Sequence, residues 1–249
     1  MITSKLPIVI LFTLILLWGC AVIYNPATQK REYYFIDEDS EVMMGNNMAS
    51  DIQRKNKVFN DKILQSHLNR IGQSIVLASD RSDLEYHFYI LDDDQINAFA
   101  LPGGYIFVNK GLIDKTNDHE LAFVLGHEIG HVSARHSVKR LQNALGVNLL
   151  LGIALRDPDH LVLKQAVGVV YNVVALGYSR QDEFLADSLG VKYSLKAGYD
   201  PKAAFSLFEK MEGEGKTNNQ LVFLMSHPPI KKRAEKIKAT LDELKLPTK

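Results

Sequence analysis

The sequence has 249 residues, of which 46% are hydrophobic and 23% are charged, values close to those of soluble globular domains. Its 29 basic residues are balanced by 29 acidic residues, so we expect no nucleic-acid partner and no general attraction to anionic surfaces. This composition excludes a largely disordered chain and a polytopic membrane protein, and the length predicts one globular domain or a small domain with appendages.

The N-terminal segment has the three-part pattern of a secretory signal. An apolar run from Leu6 to Trp18 follows a short basic start, and it has 13 residues, fewer than the roughly 20 that cross a bilayer as a helix. Leu17 to Cys20 resemble the lipobox of bacterial lipoproteins, which implies a signal peptide at residues 1–19 and lipidation of Cys20. An uncleaved anchor that ends near Tyr24 is the alternative.

The residue after the cysteine, Ala21, bears on the compartment. By resemblance to the sorting rules of two-membrane bacteria, it favours an outer-membrane lipoprotein whose domain faces the periplasm. Inner-membrane anchoring with a periplasmic domain is the alternative. Residues 20–40 are polar with an aromatic interruption, and we expect them to form a tether to a domain at residues 41–249.

Helices and a small sheet are predicted for the first part of this domain. Residues 41–80 carry apolar side chains at helical spacing, which indicates one or two helices. Residues 84–91, 98–101 and 105–108 have the composition of strands, and Pro102 to Gly104 form a turn before the last of them. We therefore expect an α+β domain with a small antiparallel sheet beside its helices.

A long helix is predicted to begin at Asn117, a favourable N-cap residue, and to continue toward Leu141. The apolar residues 144–177 form either part of the core or a lid over a cleft. Further helices are predicted for residues 158–176, 181–196, 201–211 and 231–244.

The predicted long helix contains His127-Glu128-Ile129-Gly130-His131, which matches the H-E-x-x-H pattern. The four-residue spacing places both imidazoles on one face of the helix, where they can bind a single Zn²⁺. Glu128 then lies beside the metal, where a carboxylate can take a proton from an activated water and pass it to the leaving amine. Because this helix is apolar on most sides, its polar side chains need partners, and a metal supplies them.

A catalytic zinc usually has three protein ligands, so a third ligand is expected from another helix. Glu183 and Asp187 lie four residues apart and share one face of the helix predicted for residues 181–196. We expect Glu183 to be the third ligand. Asp187 is then expected to accept a hydrogen bond from the other ring nitrogen of a ligand histidine.

Taken together, these motifs resemble the M48 family of zinc metallopeptidases, part of the gluzincin group. The resemblance extends over about residues 41–240 and rests on four segments in the family's order: Asn97–Ala100, Glu120-Leu121 leading into H-E-x-x-H, Glu183–Asp187 and Ser226-His227-Pro228. It implies a mainly α-helical zincin domain that holds one Zn²⁺ per chain. The ligands it implies are His127, His131 and Glu183, and the catalytic base is Glu128.

The resemblance also implies roles for residues outside the metal site. His227 either donates to the oxyanion of a tetrahedral intermediate, occupies a fourth zinc position in a latent enzyme, or lies in a surface turn. The strand that begins at Tyr105 and Ile106, after Gly104, is expected to be an edge that binds extended substrate, and Asn97 is assigned to the same substrate region. The other histidines, His136 among them, are predicted to be surface or packing residues.

The function that follows is zinc-dependent cleavage of unfolded or misassembled envelope proteins, a substrate class implied by the resemblance to soluble periplasmic lipoproteins of this family. Its partners would be such substrates, the membrane through lipidated Cys20, and the envelope assembly machinery. The alternative is a zinc-bearing periplasmic chaperone or assembly factor whose proteolysis is latent or minor.

Overall fold

The computed structural model describes residues 21–154, 178–214 and 230–246. Cys20, His227 and residues 155–177 of the apolar segment lie outside these ranges, so the predictions made for them remain predictions. Among the helices in the described ranges, none is long and apolar enough to cross a membrane.

The segment predicted as a tether contains a β-hairpin. Strands β1 (Ala21–Asn25) and β2 (Lys30–Tyr34) pair in antiparallel fashion, with Ala21 opposite Tyr34. The chain after β2 is fixed to the domain by Gln142, whose side-chain oxygen accepts hydrogen bonds from the amides of Phe35 (2.9 Å) and Ile36 (3.1 Å).

Two helices follow, as the apolar spacing predicts. Helix α1 (Glu38–Lys55) is capped by Asp37, which accepts a hydrogen bond from the Ser40 amide. Helix α2 (Lys62–Ala78) is capped by Asp61 in the same way and buries an apolar face in the core. Both caps satisfy amides that have no partner within the helix.

The sheet contains β3 (His87–Leu91), β4 (Ala98–Ala100) and β5 (Tyr105–Asn109), in the order β3-β5-β4. A tight turn at Pro102–Gly104 joins β4 to β5, and these two strands are antiparallel. The small sheet beside the helices is present as predicted, but only the β4–β5 pair is antiparallel, because β3 pairs with the other side of β5 and runs parallel to it. After β3 the chain passes to the far side of the sheet, where it forms β4 in the opposite direction. It then turns back and forms β5 between the two, so β5 runs in the same direction as β3.

The remaining described elements are helical. After the short helix α3 (Lys110–Ile113) come α4 (Asp118–Ser133), α5 (His136–Ala154), α6 (Arg180–Lys196), α7 (Ala203–Glu214) and α8 (Ile230–Glu243). The architecture is the mainly helical α+β domain that the sequence predicts.

Helix α4 is the centre of this domain, and every residue from Glu120 to Ser133 is buried. Its first turn has a capping box, in which Asn117 accepts from the Glu120 amide and Glu120 accepts from the Asn117 amide. The predicted continuous helix toward residue 141 is wrong, because the chain breaks at Arg135, whose φ of 53° is left-handed. The Arg135 side chain is held there by the carbonyl of Ile36 and by buried Glu41.

Helices α4 and α6 approach each other closely where each has a glycine. A β-carbon on Gly190 would lie 3.1 Å from the amide nitrogen of His127, and one on Gly126 would lie 3.0 Å from the carbonyl oxygen of Gly190. Larger residues would push the two helices apart. The close packing brings the side chains of α6 within reach of the histidines on α4.

Candidate metal and active site

Three predicted ligands converge at the α4–α6 contact. The Nε2 atoms of His127 and His131 are 3.1 Å apart. Glu183 places Oε2 at 3.6 Å from Nε2 of His127 and Oε1 at 3.5 Å from Nε2 of His131. All three side chains are buried, and their ligand atoms lie within 4.8 Å of one another. Two imidazoles and a carboxylate are the donor set of many catalytic zinc sites, so the residues fit a divalent metal ion.

The other ring nitrogen of His127 faces Asp187, as predicted. Nδ1 of His127 lies 2.9 Å from Oδ1 of Asp187, which fixes the tautomer that leaves Nε2 free to bind a metal. Burial lowers the pKa of His127 to about 4, and the hydrogen bond to Asp187 only partly opposes this effect. The imidazole is therefore neutral near neutral pH, which is the form a metal ligand requires.

Arg233 on α8 completes this chain of contacts, and the sequence reasoning missed it. Its Nη2 and Nε donate to the two oxygens of Asp187 at 2.7 and 2.9 Å, and both side chains are fully buried. Burial alone would raise the pKa of Asp187, but the charge and hydrogen bonds of Arg233 outweigh it and hold that pKa well below its usual range. The sequence offered one indication of such a residue: Asp187 was predicted to lie in the site, and a buried carboxylate needs a cation as its partner.

Glu128 lies between the three candidate ligands and the sheet. It is 1% exposed, and its Oε1 has no hydrogen-bond partner among the described residues. Burial, and after it the charge of Glu183, raises the pKa of Glu128 well above its usual range, while a hydrogen bond from the Ala100 amide opposes the shift. A base with a raised pKa beside a metal site is a common arrangement in hydrolytic enzymes.

In the part of the chain that the structure describes, no strand pairs with the outer side of β4, the edge of the sheet near this site. Leu101 donates to Tyr105 and Asn109 donates to Asn97, so the odd-numbered residues of this segment face β5. In an antiparallel pair the backbone groups of the intervening residues point the other way. The N–H and C=O groups of Ala98 and Ala100 are therefore directed away from β5, on the side where Ala100 meets Glu128.

The prediction that the strand beginning at Tyr105 is an edge is wrong, because β5 is paired on both sides. Ile106 is completely buried, and Tyr105 is stacked against His87 with ring centroids 4.7 Å apart. Gly104 packs against the chain near Glu85, where a β-carbon would come within 2.6 Å of the backbone oxygen. Asn97 is half-buried at the start of the true edge, β4.

His136, predicted to be a surface or packing residue, is a buried residue whose contact with the candidate ligand His131 was not predicted. It is 3% exposed, and its Nδ1 lies 2.9 Å from Nδ1 of His131. Tyr178 stacks on the same His131 ring at 3.9 Å and meets the hydroxyl of Ser137 at 2.6 Å. Spacing could not show this contact, because the two histidines are five residues apart and only the break at Arg135 brings them together.

The site combines a buried helix with the H-E-x-x-H residues, a third candidate ligand from a second helix and, beside the base, a strand edge with which no described strand pairs. These features define a metallopeptidase. The comparison with known families agrees, since the sequence pattern of peptidase family M48 matches residues 62–241. The chain belongs to this family.

Several characterised relatives align with most of the chain. It is 31% identical over 229 residues to the mitochondrial metalloendopeptidase OMA1 of Schizosaccharomyces pombe, covering 88% of this chain and 66% of that protein. It is 26% identical over 201 residues to the beta-barrel assembly-enhancing protease of Escherichia coli, covering 76% and 41%. The metalloprotease YcaL of the same organism is 27% identical over 207 residues, covering 80% and 75%. The chain thus spans only part of the length of each relative.

Proposed function

We propose that this chain is a zinc-dependent endopeptidase that cleaves unfolded or misassembled proteins of a bacterial cell envelope. The observation that carries the proposal is the convergence of His127, His131 and Glu183 beside Glu128, whose Oε1 has no hydrogen-bond partner among the described residues. The names of the bacterial relatives, which refer to a protease and to β-barrel assembly, support the substrate class.

His127, His131 and Glu183 are proposed to hold one Zn²⁺, which when bound supplies a Lewis acid for water activation. Glu128 accepts the proton of the attacking water and passes it to the leaving amine, since its raised pKa suits it to both directions of transfer. Asp187 keeps the Nδ1 proton on His127, and Arg233 keeps Asp187 ionised.

An extended substrate is proposed to add as a further strand along β4. Both backbone groups of Ala98 and the carbonyl of Ala100 supply the hydrogen bonds for such an addition, while the Ala100 amide donates to Glu128. These backbone hydrogen bonds are independent of the side chains of the substrate. This independence suits an enzyme that acts on unfolded chains of varied sequence. Tyr105, Ile106 and Gly104 are not part of this binding edge.

His227 keeps its proposed role as a donor to the oxyanion, or as a fourth ligand in a latent form. It precedes helix α8 by three residues, and Arg233 anchors that helix at the metal site. We also propose that Cys20 is lipidated and anchors the domain to the outer membrane on its periplasmic side. Strand β1 begins directly after this cysteine.

The test is cleavage of an unfolded protein such as reduced casein by the purified full-length chain. Activity is expected to disappear with a chelator and to return with Zn²⁺, while Glu128→Gln is expected to bind one Zn²⁺ and to cleave nothing. A wild-type protein that binds zinc and leaves all unfolded substrates intact would refute the proposal. Full rescue of an envelope defect by Glu128→Gln would favour the zinc-bearing chaperone instead.

A further inference from the structure

The hairpin formed by β1 and β2 has an unusual concentration of exposed apolar side chains. The described residues include ten large hydrophobic side chains that are exposed, and five of them fall within residues 22–35. The exposed fractions of these five range from 42% to 71%. They are Val22, Ile23, Tyr24, Tyr33 and Phe35.

Four of these side chains share one side of the hairpin. Val22 lies opposite Tyr33, and Tyr24 lies opposite Arg31, so these two pairs project from the same side. Phe35 continues the alternation two residues beyond Tyr33. We call Val22, Tyr24, Arg31, Tyr33 and Phe35 the hairpin face.

The opposite side of the hairpin is packed against the domain. Tyr34 and Ile36 form a small core with Val138 and Leu141 of α5. The ring of Tyr34 lies under the guanidinium of Arg135, 4.2 Å from its centroid. The hairpin is therefore fixed to the domain by its inner side, and the hairpin face is presented to the outside.

An exposed apolar patch of this kind usually marks an interaction surface. Its charges indicate the partner. Lys30 and Arg31 are exposed and form no ion pair with the described residues, whereas Glu32, the only acidic residue between positions 21 and 35, turns inward to Lys139 at 2.7 Å. Tyrosines, apolar residues and unpaired cations are typical of the boundary between lipid headgroups and acyl chains. The next acidic side chains along the chain, Asp37 and Glu38, follow the hairpin where it joins helix α1.

The position of the hairpin in the chain points to the same partner. Only Gly19 and Cys20 separate strand β1 from the apolar run of residues 6–18. Any anchoring at that run or at Cys20 holds the hairpin within a few residues of the bilayer, where a second weak contact adds to the first.

We propose that the hairpin face lies flat on the phospholipid bilayer and fixes the orientation of the catalytic domain above it. The inference rests on the proposed membrane anchoring and does not depend on proteolysis. Gln142 joins the hairpin to α5, the helix that begins with His136. The bilayer contact would therefore set the direction in which the metal site and the β4 edge face their substrates.

The test uses tryptophan fluorescence of the full-length chain in vesicles of phosphatidylcholine and phosphatidylglycerol, with and without brominated acyl chains. Trp18 is the only tryptophan, so Trp18→Phe combined with Tyr33→Trp reports on the hairpin face alone. Because bromine quenches at contact range and the face would lie at the acyl boundary, brominated lipid is expected to remove about half or more of the emission.

The matched control is Trp18→Phe with Ile63→Trp, since Ile63 is also an exposed apolar residue but lies at the start of α2. Its emission is expected to be the same in both kinds of vesicle. Adding Val22→Ser and Phe35→Ser to the Tyr33→Trp protein is expected to restore most of the lost emission, and thermal unfolding verifies that this variant is folded.

Three results would overturn the inference. They also distinguish a failure of the bilayer contact from a failure of the membrane anchoring. Wild-type protein that fails to float with vesicles would refute both proposals. If the Tyr33→Trp protein floats but its introduced tryptophan is not quenched, only the bilayer contact is refuted. An unquenched emission from that tryptophan that shifts with protein concentration would assign the hairpin face to a second copy of the chain.

Discussion

Replacement of Arg233 by methionine tests whether the buried contact to Asp187 prepares His127 for the metal. Methionine keeps an unbranched side chain of similar length but removes both hydrogen bonds, at 2.7 and 2.9 Å, together with the charge that faces Asp187 from α8. Breaking a buried ion pair by removing one partner typically costs about 3–5 kcal/mol, because the other charge stays buried. We expect a loss of this size in the unfolding free energy of the metal-free protein.

The effect on metal binding is separate from the effect on folding. Without Arg233, Asp187 is more readily protonated, and its hold on the Nδ1 proton of His127 weakens. Loss of such an orienting contact usually lowers metal affinity by about 10–100-fold, which is roughly 1.4–2.7 kcal/mol. Competition with a chromophoric chelator gives the zinc affinity, and urea unfolding in the presence of chelator gives the stability.

Two further variants sharpen the result. Arg233→Lys keeps the positive charge but lacks the planar fork that binds both carboxylate oxygens, so intermediate losses are expected. Lys232→Met changes an exposed cation on the same helix and is expected to alter neither quantity by more than about 0.5 kcal/mol. If folded Arg233→Met binds zinc as tightly as the wild type, His127 is oriented without this contact and the reasoning is wrong.

Three other substitutions test the surroundings of the site. His136→Phe is expected to lower zinc affinity by about tenfold, because it removes the polar contact to the second ligand histidine; an unchanged zinc titration would contradict this. Glu41→Gln leaves buried Arg135 without its counter-charge and Arg81 with only exposed Glu38, so it should cost about 3–5 kcal/mol in urea unfolding. Glu38→Gln should cost less than about 1 kcal/mol, because Glu38 is exposed. Asn117→Ala removes the cap of the catalytic helix and should cost about 1 kcal/mol; a thermal unfolding midpoint equal to that of the wild type would exclude a role for the cap.

The local part of the site could be predicted from the sequence because helical geometry alone decides it. The four-residue spacing of His127 and His131 fixes their common face, and Asn117 marks where the helix begins. Glu183 and Asp187 form a second pair of the same kind. Their convergence on the first pair depends on two helices packing together, which we inferred from the third ligand that a catalytic zinc requires.

The parts that the sequence did not reveal depend on long-range contacts. Strand periodicity identified three strands but contained no information about which strand lies in the middle, so Tyr105 was assigned to an edge that belongs to Ala98–Ala100. The contact of His136 with His131 depends on a helix break at Arg135, and this break is explained by the buried ion pair that fixes the Arg135 side chain. Arg233 lies 46 residues from Asp187, and nothing in the pattern of α8 distinguishes it from the exposed lysines beside it.

Both ends of the catalytic helix are held by charged groups from distant parts of the chain. At its start, Glu120 accepts hydrogen bonds from Ser206 at 2.7 Å and from Lys210 at 2.6 Å, both on α7. At its end, Arg81 donates to the carbonyl of Val132 at 3.2 Å while also binding buried Glu41 of α1.

Glu41 in turn accepts a hydrogen bond from the amide of Gly103, in the turn that follows the β4 edge. One buried carboxylate on α1 thus connects the catalytic helix with the strand edge proposed to bind substrate. Together with the Ala100 amide that donates to Glu128, it holds the distance between Glu128 and that edge. A rigid setting of this distance is what a peptidase requires when it recognises only the backbone of its substrate, because no side-chain pocket then corrects the position of the scissile bond.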